Sequence, residues 1–132
     1  MEVIMLEHVG ITINEESDIQ AFYKDLLGLE EVNKFDLYED LSEKAFGISN
    51  MASVTFLSRD NFFIELFLTG KKQSPVYNHI CISIHDRDNV IRKAKSKGFP
   101  VTNIKRESKD DVIFLKDNSG NIFEIKEARG AP

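Results

Sequence analysis

One cysteine, Cys81, stands in 132 residues. A lone thiol excludes an internal disulfide framework and fits a reducing compartment. No apolar run approaches the roughly 20 residues a membrane-spanning helix needs. The first residues lack the basic and apolar regions of a secretory leader, so the expected location is cytoplasmic, with no membrane partner. Basic residues are scattered, apart from Lys71-Lys72 and the stretch from Arg92 to Lys97, and the formal net charge is -5. That balance argues against nucleic acid as a partner. With 42% apolar and 30% charged residues, the chain can bury one ordinary core. At this length it is one domain, or two small modules fused into one body.

The most informative stretch is Leu6-Glu7-His8-Val9-Gly10-Ile11-Thr12-Ile13, echoed at Asn78-His79-Ile80-Cys81-Ile82-Ser83-Ile84. Alternation at period two puts His8, Gly10 and Thr12 on one strand face and Val9, Ile11 and Ile13 on the other. In the echo His79, Cys81 and Ser83 oppose Ile80, Ile82 and Ile84. The apolar faces seek a core, which leaves the histidine faces to look into a site.

Asn14 to Asp18 offers several N-caps, and Ile19, Phe22, Tyr23, Leu26 and Leu27 follow at helical spacing with Gly28 as the stop. Leu29 to Tyr38 reads as a strand, and Leu41 to Asn50 as a polar loop able to act as a lid or line a substrate site. Ala52 to Arg59 and Phe62 to Leu68 form a hairpin turning at Asp60-Asn61. Thr69 to Tyr77 is a linker. The plan then repeats: strand His79 to His85, a helix capped by Asp86 or Asp88 and closed by Gly98-Pro100, strand Val101 to Lys105, and a hairpin from Asp111 to Lys126 around Asp117-Asn118-Ser119-Gly120. Both halves read strand, helix, strand, strand, strand, so a duplication is expected, with module 1 at about 1–68, the linker at 69–77 and module 2 at about 78–127 of a single domain over 1–132.

Each half ends with a glutamate inside an apolar strand, Glu65 in Phe63-Ile64-Glu65-Leu66-Phe67 and Glu124 in Ile122-Phe123-Glu124-Ile125-Lys126. An acid there is costly unless paired, hydrogen-bonded or bound to metal. Single histidines in strands are more often core residues than ligands; the matched pair reverses those odds. His8, Glu65, His79 and Glu124 then make a mixed imidazole–carboxylate set for one divalent ion per chain, with about two octahedral positions left open. Nickel, cobalt, zinc, manganese and iron all suit such donors. Cys81 reads as a small filler, and Lys126, on the face of Glu124, as a strand-end lysine able to meet an anion. Phe35, Tyr38, Phe46, Met51 and Phe67 serve equally as pocket lining, core or dimer contact.

The chain resembles the vicinal oxygen chelate superfamily of glyoxalase I, methylmalonyl-CoA epimerase, extradiol dioxygenases and fosfomycin- or bleomycin-resistance proteins. The resemblance spans nearly the whole chain. It rests on His8-Val9-Gly10-Ile11, Phe22-Tyr23 with Leu27-Gly28-Leu29, Ile64-Glu65-Leu66, His79-Ile80, and Asp117 with Gly120-Asn121 and Glu124. It implies an α+β fold of two tandem βαβββ modules whose curved mixed sheets enclose a metal cleft, with His8, Glu65, His79 and Glu124 at the four ligand positions. The full set of two histidines and two glutamates looks most like the glyoxalase I branch, or lactoylglutathione lyase. That likeness implies a lyase or isomerase in which Glu124 or Glu65 doubles as base and moves a proton next to a metal-polarised carbonyl, through an enediolate. Thr12 and Thr69 stand where that branch carries an arginine and an asparagine for glutathione, so the thiol is left open. The alternatives are a metal-free or metal-idle antibiotic-binding resistance protein, a thiol transferase acting on fosfomycin, and an epimerase-like enzyme. No separate organic cofactor is implied; a homodimer acting on a small molecule is.

Overall fold

The computed structural model describes residues 6–70 and 77–128. In chain order the elements are β1 (Val9–Ile13), α1 (Ile19–Leu26), β2 (Glu30–Leu37), α2 (Glu39–Phe46), β3 (Ala52–Arg59) and β4 (Phe62–Leu68), followed by β5 (His79–Ile84), α3 (Arg87–Ser96), β6 (Val101–Ile104), β7 (Val112–Lys116) and β8 (Ile122–Glu127). They build two four-stranded mixed sheets of one topology, ordered β1-β4-β3-β2 and β5-β8-β7-β6. In each, the first strand runs parallel to the last and the other pairs are antiparallel. This is the expected pair of βαβββ modules. Among the described residues neither sheet closes into a barrel. β1 and β5 are both edge strands, and a cavity of about 370 Å³ separates β1 from the starts of β5 and β8.

Both sheets put their apolar faces into one core. Ile13, Leu57, Ile64 and Leu66 from the first meet Ile84, Ile113, Leu115, Phe123 and Ile125 from the second. α1 and α3 lie at the junction, where Phe22 of α1 meets Phe99 and Phe123 edge-on or tilted, at centroid distances of 5.0 and 5.5 Å. Each such aromatic contact adds about 0.5–1.5 kcal/mol beyond area burial.

α1 is wound wider than an α-helix, with π geometry. Its last turn carries an i→i−5 bond, Leu27 N–H to Phe22 O at 3.0 Å. Gly28 then turns at φ 74, where an added Cβ would lie 3.1 Å from the Arg59 guanidinium, and that guanidinium donates to Leu27 O at 2.7 Å. Glycine is required there by both backbone and space.

Two local expectations need correction. The stretch 41–50 is not all loop: Glu39–Phe46 is helical, with Glu39 and Asp40 in the first turn, Lys44 in the last, and Gly47 closing it at φ 71. The acids and the lysine complement the helix dipole, and they outweigh the weak apolar periodicity. The expected helix caps act differently too. Neither Asp18 nor Asp86 caps its own helix through its side chain. Glu127, from the end of β8, accepts the backbone N–H of Asp86 at 2.9 Å and of Arg87 at 3.0 Å. A carboxylate at that helix start is favoured by the orphan donors and the dipole alike, and these bonds, led by the one from Arg87, hold Glu127 below the usual carboxylate range. The greater part of the linker expected over 69–77 falls outside the described residues.

Candidate functional site: two half-sites built on one register

β1 pairs with β4 so that Gly10 lies beside Glu65, and β5 pairs with β8 so that Cys81 lies beside Glu124. In both modules the histidine stands two residues before the partner of the glutamate, on the same pleat face. His8 Nε2 reaches Glu65 Oε1 at 2.8 Å, and His79 Nε2 lies 3.6 Å from Glu124 Oε1. The histidine side chains are 45% and 43% exposed and the glutamates 20% and 22%. A carboxylate drawn from an apolar strand therefore meets an imidazole at a surface open to solvent, twice.

The correspondence extends one strand further, to residues the alternation pattern did not single out. Phe56 of β3 is the register partner of Glu65, and Phe114 of β7 that of Glu124. Each ring meets its module's histidine edge-on, His8–Phe56 at 5.8 Å and His79–Phe114 at 6.2 Å. Neither phenylalanine belongs to a recognisable motif, and only comparison of the two hairpins would have exposed them.

His79 Nδ1 lies 3.0 Å from the backbone oxygen of Tyr77. A carbonyl only accepts, so this contact is a hydrogen bond when Nδ1 carries the proton. Nε2 then keeps its lone pair toward Glu124, the arrangement typical of metal-ligating histidines. The structure thus brings together His8 with Glu65 and His79 with Glu124. Among the described residues no three of His, Cys, Asp and Glu gather where an ion could bind, so the four expected donors stand as two separate pairs rather than one set. Two donors of the right type, oriented and accessible, fit half of the four protein ligands expected around a divalent ion.

The surroundings of the half-sites differ. Glu65 is flanked on its strand face by Phe63 and Phe67; Phe63 stacks with Phe56 at 6.2 Å, and Phe67 meets Phe46 of α2 at 5.4 Å. Gly10 leaves room for Phe67, whose ring an added Cβ would meet at 3.1 Å. Beside Glu124 the face carries Cys81, Ser83 and Lys126. Local desolvation pushes the Cys81 thiol up, Glu124 adds to it, and Lys126 works against both. A cavity of about 680 Å³ opens beyond Glu124, lined among others by Ser83, Arg106, Lys109 and Lys126.

Behind the site, polar side chains tie the modules together. Asp117 Oδ2 accepts from the Tyr23 hydroxyl at 2.7 Å and from Asn121 Nδ2 at 2.8 Å, while Oδ1 accepts the N–H groups of Ser119 and Asn121 at 2.9 and 2.8 Å. Ser119 Oγ donates to Asp18 Oδ2 at 3.0 Å and accepts the Asn14 N–H at 2.9 Å. Asn121 Nδ2 also reaches Thr12 O at 2.8 Å. The turn after β7 is thereby anchored to the start of α1, which fixes β8 and Glu124 against module 1. Burial raises Asp18 above its usual value, and the nearby Asp117 charge adds to this. Burial also holds Tyr23 well above the ordinary tyrosine value, with Asp117 again contributing.

The chain resembles solved structures across nearly its full length. A glyoxalase family protein from Bacillus cereus superposes with a TM-score of 0.76 at 14% identity, covering 98% of this chain and 97% of that one. The genomically encoded fosfomycin resistance protein FosX from Listeria monocytogenes gives 0.71 at 17% identity, covering 97% and 94%. FosX from Mesorhizobium loti gives 0.68 at 15%, also covering 97% and 94%. One Listeria FosX structure is a complex with Mn(II) and sulfate. No curated protein matches the chain. At these identities the superpositions establish the fold. A family model described as Glyoxalase/Bleomycin resistance protein/Dioxygenase superfamily matches residues 5–125, and the chain therefore belongs to that superfamily.

Proposed function

We propose that the protein is a divalent-metal-dependent enzyme whose centre is completed by two copies of the chain. His8 and Glu65 of one copy would join His79 and Glu124 of the other, in two equivalent sites per homodimer. The observation that carries this reading is the repeated histidine–glutamate–phenylalanine register. It supplies two exposed two-donor half-sites, and neither alone satisfies a catalytic metal, which ordinarily has at least three protein ligands and an open position. Imidazole and carboxylate together suit Mn, Fe, Co, Ni or Zn.

When bound, such an ion supplies Lewis-acid polarisation of a substrate oxygen. The chain's own residues position the donors and handle the proton. Tyr77 O orients the His79 ring, and Phe56 and Phe114 pack against the histidine edges. Glu65 and Glu124 form no ion pair with Lys or Arg among the described residues. One of them, Glu124 in the first instance, can therefore accept a proton from the carbon beside a substrate carbonyl and return it to the neighbouring carbon, the chemistry of a glyoxalase-like isomerase or lyase.

The likeness to FosX favours a second reading, in which the same centre acts in antibiotic resistance. One experiment separates the two. Protein loaded with Mn, Ni or Zn is assayed with hemithioacetals of methylglyoxal and several thiols, and in parallel with fosfomycin. Turnover of a hemithioacetal, lost in Glu124→Gln, supports the isomerase reading; consumption of fosfomycin alone supports the resistance reading. Failure of every metal to bind overturns both.

A further inference from the structure

The half-sites are alike in their ligands and opposite in their surroundings, and this asymmetry carries information about the substrate. The wall beside His8 and Glu65 is aromatic. Phe63 remains 36% exposed there, and Phe46 on α2, whose ring meets Phe67, is 56% exposed. Large apolar groups left open beside a charged pair are unusual unless something apolar covers them. The wall beside His79 and Glu124, apart from Phe114, is polar and ionic.

The roughly 680 Å³ cavity in that second wall has four cationic and four acidic side chains in its lining. Two of the acids are already engaged: Glu124 with His79, and Glu127 with the N–H groups of Asp86 and Arg87. Asp110 and Asp111 remain. Of the cations, Arg87 is spent on the backbone oxygens of Asp111 and Ile125, at 3.2 and 3.4 Å, and Arg106 gives its Nε to Asp110 O at 2.9 Å. Lys109 and Lys126 have no ion pair among the described residues. Lys126 is exposed, sits two residues along the pleat face from Glu124, and is register partner to Ser83. It is the cation nearest the ligand glutamate along the strand, beside a hydroxyl and facing open volume.

We infer that the cleft takes an amphipathic anion: a small molecule whose carboxylate, phosphonate or phosphate is held by Lys126 with Ser83, and whose apolar, ring-sized body lies against Phe56, Phe63 and Phe67 of the facing copy. This deepens the two-copy reading above and rests on it for the pairing of the two walls. An anion in that place is matched by a point charge and a hydroxyl. The apolar body covers the exposed rings.

The test is calorimetric titration of the whole protein, with and without Mn(II), using phenylphosphonate, methylphosphonate and benzyl alcohol as probes. Metal content of each variant is measured separately. Phenylphosphonate is expected to bind at least tenfold more tightly than either other probe. Lys126→Gln is expected to weaken it about tenfold with metal stoichiometry unchanged, Lys126→Arg to restore most of the loss, and Phe63→Ala to bring phenylphosphonate down toward methylphosphonate. Equal binding of phenylphosphonate and benzyl alcohol, or indifference to Lys126→Gln, overturns the inference while leaving metal binding intact. Absence of metal uptake by the unmodified protein overturns the metal reading instead, and the Lys126 dependence measured without metal then decides the anion site.

Discussion

Removing the hydroxyl of Tyr23 tests whether the buried polar tie holds the two modules together. The ring is fully buried, and its hydroxyl donates to Asp117 Oδ2 at 2.7 Å. A hydrogen bond to a charged acceptor is worth about 1.5–3 kcal/mol. In Tyr23→Phe the ring keeps its packing, and Asp117 Oδ2 keeps the bond from Asn121 Nδ2. The expected cost is therefore near the middle of that range, about 2 kcal/mol, or roughly 6 °C in Tm for a chain of this size. Asp117→Ala should cost more, since it strands four donors at once. The assay is urea and thermal unfolding followed by circular dichroism. The pH dependence has a definite sign. Folding raises the Tyr23 value above the ordinary 10.0. The unfolded chain therefore ionises first, and the wild type's advantage over Tyr23→Phe, complete at neutral pH, begins to fall above about 10 and is lost as pH rises through the raised value. A Tyr23→Phe penalty below about 0.5 kcal/mol, or an alkaline unfolding curve unchanged by the substitution, would refute the reasoning.

Other outcomes follow from the same structure. Asp18 has its value raised in the fold, so its contribution is present at low pH and lost as pH rises from about 4 through the raised value; the stability of wild type relative to Asp18→Asn should accordingly be greater at pH 4 than at pH 7. Glu127 behaves with the opposite sign: its contribution exists above the ordinary value of 4.5 and fades as pH falls from there through the lowered value, so Glu127→Gln costs more near neutrality than at pH 3, measured by urea unfolding at both values. Mn(II) at a hundred times its dissociation constant should stabilise the protein by about 2.7 kcal/mol, read as a Tm increase that a chelator reverses. Gly28→Ala meets both a positive φ and the Arg59 guanidinium, and should cost at least about 1 kcal/mol in the same unfolding assay.

What could be read in advance followed from local periodicity. Alternation placed His8 and His79 at strand starts, and the apolar strands around Glu65 and Glu124 marked those acids as out of place. The duplicated order of elements was legible because both halves carry the same turn and stop residues. The helix Glu39–Phe46 was missed because most of its residues stay exposed and its signal lies in charges at the ends rather than in an apolar stripe. Asp18, Asp117 and Ser119 look locally like cap and turn residues; their burial depends on partners about 100 positions away, beyond any window of local reasoning. The same applies to Phe56 and Phe114, which reach the histidines only through strand register. Whether the cleft is shared between copies was left open by the sequence, because it depends on how modules pair, and no pattern along a strand encodes that.

The central claim is that the metal centre is shared between copies, and a mixed-dimer experiment tests it directly. One chain carries His8→Ala with Glu65→Gln, the other His79→Ala with Glu124→Gln, so neither binds metal as a homodimer. In a heterodimer of the two, one cleft combines both damaged halves and the other both intact halves. The account predicts recovery of one tight metal site per heterodimer, half the wild-type content. Heterodimers that form yet bind no metal would place all four ligands within a single chain and contradict it.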